Sequence, residues 1–176
     1  DENFSGTMSL IMRVTGNKNE LKKPETLKNI SKIQKYIKSA HPNEVKLSYS
    51  FSDVVKKLHQ NLLGDSFNTI PDDPRQVHQL LFGFDFDEFE SIVNSSMDST
   101  LIYNYLVSLS TEDIVWISDD IDKYIEKEIP NDFNIESSGL MILLKEFIDL
   151  VIKSSIISIS VSIIAIFVIS YLFYRR

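Results

Sequence analysis

The segment Ser154–Phe173 reads SSIISISVSIIAIFVISYLF and carries no charge over twenty consecutive residues. An α-helix of this length is about 30 Å long, which matches the hydrocarbon core of a bilayer. Tyr171 and Tyr174 lie where an aromatic belt is expected, and Arg175-Arg176 follows directly. The pattern predicts a membrane-spanning helix. The alternative, a buried helix of a soluble protein, is disfavoured because twenty consecutive residues carry no charge.

The charges around this segment predict its orientation. Positive residues just after a membrane helix usually mark the cytoplasmic side. We therefore expect Arg175-Arg176 on the cytoplasmic side of a cell membrane and the preceding globular domain outside the cytoplasm. The chain has net charge −7, and the two arginines follow the span, so residues 1–153 carry a net charge of −9. This balance argues against nucleic acid or anionic headgroups as partners of the domain.

The apolar pattern begins before the bilayer. A helical spacing is kept by Leu140, Leu143, Leu144, Phe147, Ile148, Val151 and Ile152. We predict one long helix over residues 139–176, spanning the membrane at 154–173. From Leu140 to Phe173 it would be about 51 Å long at ~1.5 Å per residue. Such a helix would hold the domain rigidly above the membrane.

Small residues recur on one face of the span, and they are Ser155, Ser158, Ser162 and Ala165. Small side chains allow another helix to approach closely. This stripe predicts packing against further transmembrane helices. Scattered serines in a passive anchor are the alternative.

The preceding residues predict an α+β domain over residues 1–138. In four segments apolar residues recur at every second position, as they do in β-strands. These segments are Met8–Val14, Val45–Tyr49, Leu101–Leu109 and Phe133–Ile135. Of these, Leu101, Tyr103, Tyr105, Val107 and Leu109 form the most apolar strand face. One helix is expected from Pro24 to about Ala40, and another after Ser110, which forms a capping-box pattern with Asp113. The order β-α-β, insertion, β-α-β is the ferredoxin-like split βαβ plan, with helices on one face of the sheet.

The insertion, about residues 50–97, is predicted to be helical. Ser50 and Asp53 form a capping pattern, Gly64 is a stop signal, Asp73-Pro74 begins a second helix, and Asp85 begins a third that contains Phe89, Ile92 and Val93. Aromatic residues are frequent here, and they are Phe67, Phe82, Phe84, Phe86 and Phe89. They are candidates for the lining of an apolar substrate cleft, with ordinary core packing as the alternative.

No residue pattern predicts catalysis, a metal site or a cofactor. His41, His59 and His78 are far apart and lack metal-ligand spacing. The acidic groups at 85–90 and 119–122 do not match a calcium-binding loop. The chain has no cysteine, which excludes disulfides and thiolate ligands, and it has no nucleophile elbow, phosphate loop or dinucleotide fingerprint. We expect no enzymatic activity.

Several short motifs follow one another in a characteristic order. They are Phe4-Ser5-Gly6-Thr7, Pro24-Glu25, Ser50-x-x-Asp53-x-x-Lys56, Ile70-Pro71-Asp72 before Leu80-Leu81, Asp98-Ser99-Thr100, and Gly139 before the long helix. This order resembles the extracytoplasmic porter domain and following transmembrane helix of resistance-nodulation-division (RND) exporters, specifically the lipid-exporting MmpL-like branch. The opening motif is more similar to the second porter domain of such proteins than to the first. Ser5 stands where the family often has glycine.

The resemblance implies proton-driven export of lipids or other hydrophobic substrates. Its implied partners are membrane lipid, the remaining transmembrane helices, the second porter domain of the same transporter and a hydrophobic substrate. The family's proton-coupling acids lie in membrane helices outside these 176 residues, so this segment alone is not expected to transport. Its implied role is to convey substrate outside the bilayer and to transmit motion through the long helix.

Two other functions remain open on the sequence. One is a complete single-pass membrane protein with an extracytoplasmic domain that binds a partner. The other is a membrane-tethered hydrolase, which the lack of a nucleophile–base pair disfavours. The lack of a methionine at residue 1 leads us to expect either a cleaved N-terminal piece or a segment of a longer chain.

Overall fold

A computed structural model describes residues 8–82, 89–107, 109–130, 133–138 and 140–175. Phe4–Thr7, Phe84–Phe86 and Gly139, which carried sequence predictions, lie outside these ranges. The strands are β1 (Met8–Thr15), β2 (Val45–Ser50), β3 (Ser99–Leu106) and β4 (Asn134–Ser138). The α-helices are α1 (Pro24–Ala40), α2 (Phe51–Leu63), α3 (Pro74–Leu80), α4 (Thr111–Glu128) and α5 (Leu140–Tyr174). Short 3₁₀ helices occupy Glu20–Lys22 and Asp65–Phe67.

The four strands form one antiparallel sheet in the order β2-β3-β1-β4. The centre of the sheet is the pair β1–β3, in which Met12 lies opposite Ile102. On its outer side β1 also pairs with β4, where Val14 lies opposite Ile135. The predicted α+β class is therefore confirmed, with all four predicted strands present.

One face of the sheet forms the core together with α1 and α4. On this face both central strands carry buried apolar residues. They include Leu10, Met12 and Val14 of β1 and Ile102 and Leu106 of β3. The helices add residues that are fully buried, among them Ile30, Ile33, Ile37, Ile117 and Ile121. Because all of these belong to one cluster, α1 and α4 cover the same face of the sheet.

In β2 and β3 the buried positions differ from those that the alternation of apolar residues predicts. The most apolar side of β3, with Tyr103 and Tyr105, lies on the face away from the core, while Asn104 and Leu106 are buried. In β2 the register shifts between Val45 and Leu47, so Val45 is buried and Leu47 is exposed. The sequence alone favoured the aromatic side of β3 as the core side, because hydropathy does not count the polar residues Thr100 and Asn104 as core residues.

Capping side chains begin the helices where the sequence predicts. The hydroxyl of Ser110 accepts from Asp113 N at 3.2 Å, and the carboxylate of Asp113 accepts from Ser110 N at 3.2 Å. Ser50 and Asp53 form the same reciprocal box at the start of α2. Gly64 follows that helix with φ 106°, a conformation that only glycine adopts without strain.

The insertion contains α2 and α3 but differs from the prediction further on. Asp73 caps α3, accepting from Arg75 N at 2.9 Å. The start of the third predicted helix lies outside the described residues. Its expected end is wrong, because Val93 forms an isolated antiparallel bridge with Thr100 instead of continuing a helix.

Helix α5 is continuous over 35 residues, as predicted. This length corresponds to roughly 52 Å at ~1.5 Å per residue. Every side chain from residue 151 to 175 is exposed. Residues Leu143–Tyr174 are long and apolar enough to cross a membrane.

Candidate functional site at the junction of the domain and α5

The junction joins the domain core to the exposed apolar helix. Leu144, in the second turn of α5, packs against the core cluster, whereas Leu143 and Phe147 are exposed. These first turns lie beside α4, β1 and β4. One face of the helix is therefore anchored in the domain, and every side chain after Ile148 is exposed up to residue 175.

A charged group on α5 connects it to α4. Lys145 Nζ donates to Asp119 Oδ1 at 2.7 Å and lies 3.7 Å from Asp122 Oδ2. Its side chain is only 23% exposed, so its stem is packed between the two helices while its ammonium meets the carboxylates. We call Asp119, Asp122 and Lys145 the junction cluster. It joins the second turn of α5 to the middle of α4.

The environment of the junction cluster also changes the chemistry of one carboxylate. Partial burial raises the pKa of Asp122, Lys145 opposes this change, and the charges of Asp119 and Glu126 raise the pKa further. The net effect is an increase. Asp122 therefore takes up a proton at a higher pH than an ordinary aspartate.

The sequence did not single out the junction cluster as a site. The apolar period of the long helix does not include Lys145, and the acidic group at 119–122 was weighed only as a calcium-binding loop. No local signal identified the pair, because Glu146 and Asp149 are acidic neighbours of Lys145 on its own helix and give it nearby negative charge without the domain. The pairing with α4 follows from tertiary packing.

The predicted helix-packing stripe lies on one exposed face of α5. Ser155, Ser158, Ser162 and Ala165 all have exposed side chains. The hydroxyl of Ser162 donates to the carbonyl of Ser158 at 2.8 Å, and Ser160 makes the same bond to Ile156. Because these hydroxyl protons are bonded within the helix, they carry a smaller desolvation cost in an apolar environment.

The described members of the predicted substrate cleft lie in different surroundings. Phe67 is 41% exposed and meets the ring of His59 edge-on, with ring centroids 5.4 Å apart. Phe82 is exposed and borders a depression whose described lining does not include Phe67. Phe89 is partly buried against the core. Phe84 and Phe86 lie outside the described residues, so the described rings do not by themselves delimit a common cleft.

Of the three histidines, His41 and His59 are buried, whereas His78 is exposed. His41 is buried, and its Nε2 lies 3.0 Å from Asp120 Oδ2, which also accepts from Tyr36 Oη at 2.8 Å. This bond, together with burial, raises the pKa of Tyr36. His59 is buried and bonded to the carbonyl of Thr69. Among the described residues no three histidine, aspartate or glutamate side chains are grouped so as to hold a metal ion.

The motif Ser50-x-x-Asp53-x-x-Lys56 forms a polar network with α1. Gln34 Oε1 accepts from the hydroxyls of Ser50 at 2.8 Å and Ser52 at 2.9 Å. Gln34 Nε2 donates to Asp53 Oδ2 at 2.7 Å, and Lys56 donates to Oδ1 of the same carboxylate. The motif therefore joins α2 to α1, and its members are bonded to one another.

Comparison with models of protein families finds no match to this chain. Comparisons with curated proteins and with solved structures likewise give no significant match.

Proposed function

We propose that the domain and α5 are the porter-domain segment of an RND-type, MmpL-like exporter of lipids or other hydrophobic substrates. In this proposal the domain lies outside the cytoplasm and conveys substrate beyond the bilayer. Helix α5 crosses the membrane beside further helices and transmits motion between membrane and domain. The observation that carries the proposal is the uninterrupted helix that begins in the domain core and continues through the whole apolar segment.

The strand order supports the ferredoxin-like part of the proposal. Read from the opposite edge, β2-β3-β1-β4 becomes 4-1-3-2, and each neighbouring pair is antiparallel. Helix α1 connects β1 to β2, and α4 connects β3 to β4. This is the arrangement expected of two interlocked βαβ units, with α2 and α3 inserted between them.

The junction cluster supports a mechanical role for α5. A helix connected only through a flexible linker would move independently of the domain. Here Leu144 is packed on the core and Lys145 is bonded to α4, so a tilt of α5 moves the packed elements with it. The small-residue stripe supplies a face on which neighbouring membrane helices can pack.

The proposal is tested in cells that lack the intact gene. Wild type, Val151→Pro, Phe147→Pro and Val151→Ala are returned to these cells, and lipids of the cell membrane and of the extracellular layers are compared by mass spectrometry. Proline removes a helix hydrogen bond and kinks the helix at the boundary of the span. We expect lipids to be retained in the cell membrane without the gene and with Val151→Pro or Phe147→Pro, and to be exported normally with Val151→Ala.

The controls separate export from insertion. Each variant must be present in the membrane at the wild-type level with the wild-type orientation. Unchanged lipid distribution on deletion of the gene would refute the exporter assignment. Normal export by a correctly inserted Val151→Pro variant would refute the mechanical role of α5 alone.

A second candidate function is favoured by the sheet face away from α1 and α4. This face carries Leu47, which is 43% exposed, and half-buried side chains that include Ile11, Tyr49, Tyr103 and Tyr105. In a single-pass membrane protein such a face is suited to partner binding. In that case deletion of the gene leaves lipid distribution unchanged, and cross-linking from position 47 captures a separate protein.

A further inference from the structure

A groove of about 370 Å³ lies between α1, α2 and the loop after the second 3₁₀ helix. Lys28, Lys32 and Lys35 line it from α1, where their spacing of four and three places them on one face. Lys56 of α2 lines it from a second side, and Thr69 and Ile70 from the loop. The volume is within the range of roughly 300–1,000 Å³ typical of small-molecule sites.

The charge of the groove is opposite to that of the chain. Its described lining contains four lysines and no acidic residue, whereas the chain has net charge −7. Lys28 pairs with Asp72, Lys56 pairs with Asp53, and Lys32 is 3.4 Å from the carboxylate of Glu128. Lys35 is exposed and has no ion-pair partner among the residues the structure describes. A positive charge is therefore available to a ligand.

The walls of the groove are mainly apolar atoms. They come from the lysine stems and from Ile70, whose side chain is otherwise buried. A groove with ammonium groups at its rim and hydrocarbon along its walls is suited to an anionic group that carries an alkyl chain. A fully hydrated inorganic anion would leave the apolar walls unused.

The groove lies toward the end of the sheet opposite the departure of α5. Helix α1 begins after the end of β1, where Thr15 pairs with Asn134 at the start of β4. Helix α5 leaves after β4 has returned toward the beginning of β1, where Ser138 pairs with Ile11.

We propose that this basic groove binds the anionic headgroup of an amphiphile, of the alkyl phosphate class, as the cargo of the exporter. The inference rests on the proposed function for its role but not for the binding itself. The net charge of the domain had argued against anionic headgroups as partners, and the groove is a local exception. The ligand's charge pairs with Lys32 and Lys35, and its alkyl chain contacts the lysine stems and Ile70.

The test is isothermal titration calorimetry of the intact protein in nanodiscs of zwitterionic lipid. The probes are hexyl phosphate, inorganic phosphate and hexanol at constant ionic strength. We expect hexyl phosphate to bind about tenfold more tightly than either other probe, because only it uses charge and apolar wall together. The double variant Lys32→Gln/Lys35→Gln should bind it at least about tenfold more weakly.

The matched control is Lys46→Gln/Lys123→Gln, which removes the same charge from exposed positions outside the groove. It should change the affinity by less than about twofold, since exposed distant charges are screened. Equal weakening by both double variants would overturn the groove as the site. Equal affinity for inorganic phosphate would overturn the amphiphile, and no binding by wild type would overturn the proposal. If hexyl phosphate binds as expected but the deletion strain retains no lipid, the exporter assignment is refuted and the groove remains supported as a binding site.

Discussion

Lys145 of α5 and Asp119 of α4 form an ion pair of 2.7 Å between the helix that leaves the domain and a helix that covers its sheet. The two residues are 26 positions apart in the chain, so the pair is a tertiary contact. Both partners are incompletely exposed, at 23% and 48%, which reduces solvent screening relative to a surface pair. We therefore expect the contact to contribute to the attachment of α5 to the domain.

The ion pair should be measurable as a coupling energy. In a double-mutant cycle of Lys145→Met and Asp119→Asn, we expect a coupling of roughly 0.5–1 kcal/mol in the free energy of unfolding. High salt should reduce it. The measurement is denaturant unfolding of the domain with α5 held in detergent.

Lys153 supplies the control for this cycle because it is exposed on the same helix. Lys153→Met combined with Asp119→Asn should give a coupling near zero. If Lys153 showed a coupling as large as that of Lys145, the measured energy would come from long-range electrostatics and not from a specific contact. The ion pair of Lys145 and Asp119 would then not orient α5.

Glu20 should make stability depend on pH. Its side chain is buried beside Gly16, and although burial opposes ionisation, bonds from Lys23 and Thr26 hold its pKa below the ordinary value of 4.5. Because the folded pKa is lowered, the stabilisation is present above about pH 4.5 and is lost as pH falls through the folded pKa. Wild type should therefore lose more stability between pH 5 and pH 3 than Glu20→Gln, measured by thermal unfolding at each pH.

The matched control for this pH experiment is Glu25→Gln, a change at an exposed position in the same region. It should retain the wild-type dependence of stability on pH. If Glu20→Gln and wild type lose stability in parallel over this range, the buried carboxylate does not supply the dependence.

Removing the side chain of Gln34 should lower the free energy of unfolding substantially. It is buried and bonds to Ser50, Ser52 and Asp53, so Gln34→Ala leaves several buried polar groups with fewer partners. We expect a loss of about 2–3 kcal/mol in the free energy of unfolding. Gln76→Ala, at an exposed position of α3, should cost less than about 0.5 kcal/mol. Equal losses at the two positions would contradict a stabilising role of the network.

The elements of the fold were largely predictable because their signals are local. Proline at the first position fixes the start of α1, and Ser110 with Asp113 fixes the start of α4. The continuous α5 follows from an apolar period that has no helix-breaking residue. In each case the responsible residues lie within a few positions of the feature that they determine.

The remaining features depend on contacts between distant residues. The core side of β3 is decided by its pairing, since Asn104 is accepted in the core where its amide donates to the carbonyl of Leu10 at 3.3 Å. The shift in β2 that exposes Leu47 is a property of the pair of strands. The ion pair of Lys145 and the basic groove likewise join separate segments, so neither could be read from local patterns.

The most direct test of the central claim, that α5 crosses the membrane as a continuation of the domain, is cysteine labelling. These 176 residues contain no cysteine, so single cysteines at Glu146, Ser162 and Tyr174 of the intact protein, with any others replaced by serine, can be probed with a membrane-impermeant maleimide. In intact cells we predict labelling at position 146 only. Permeabilised cells should add position 174, while position 162 stays protected. Labelling at 162, or at 174 but not 146 in intact cells, would contradict the account.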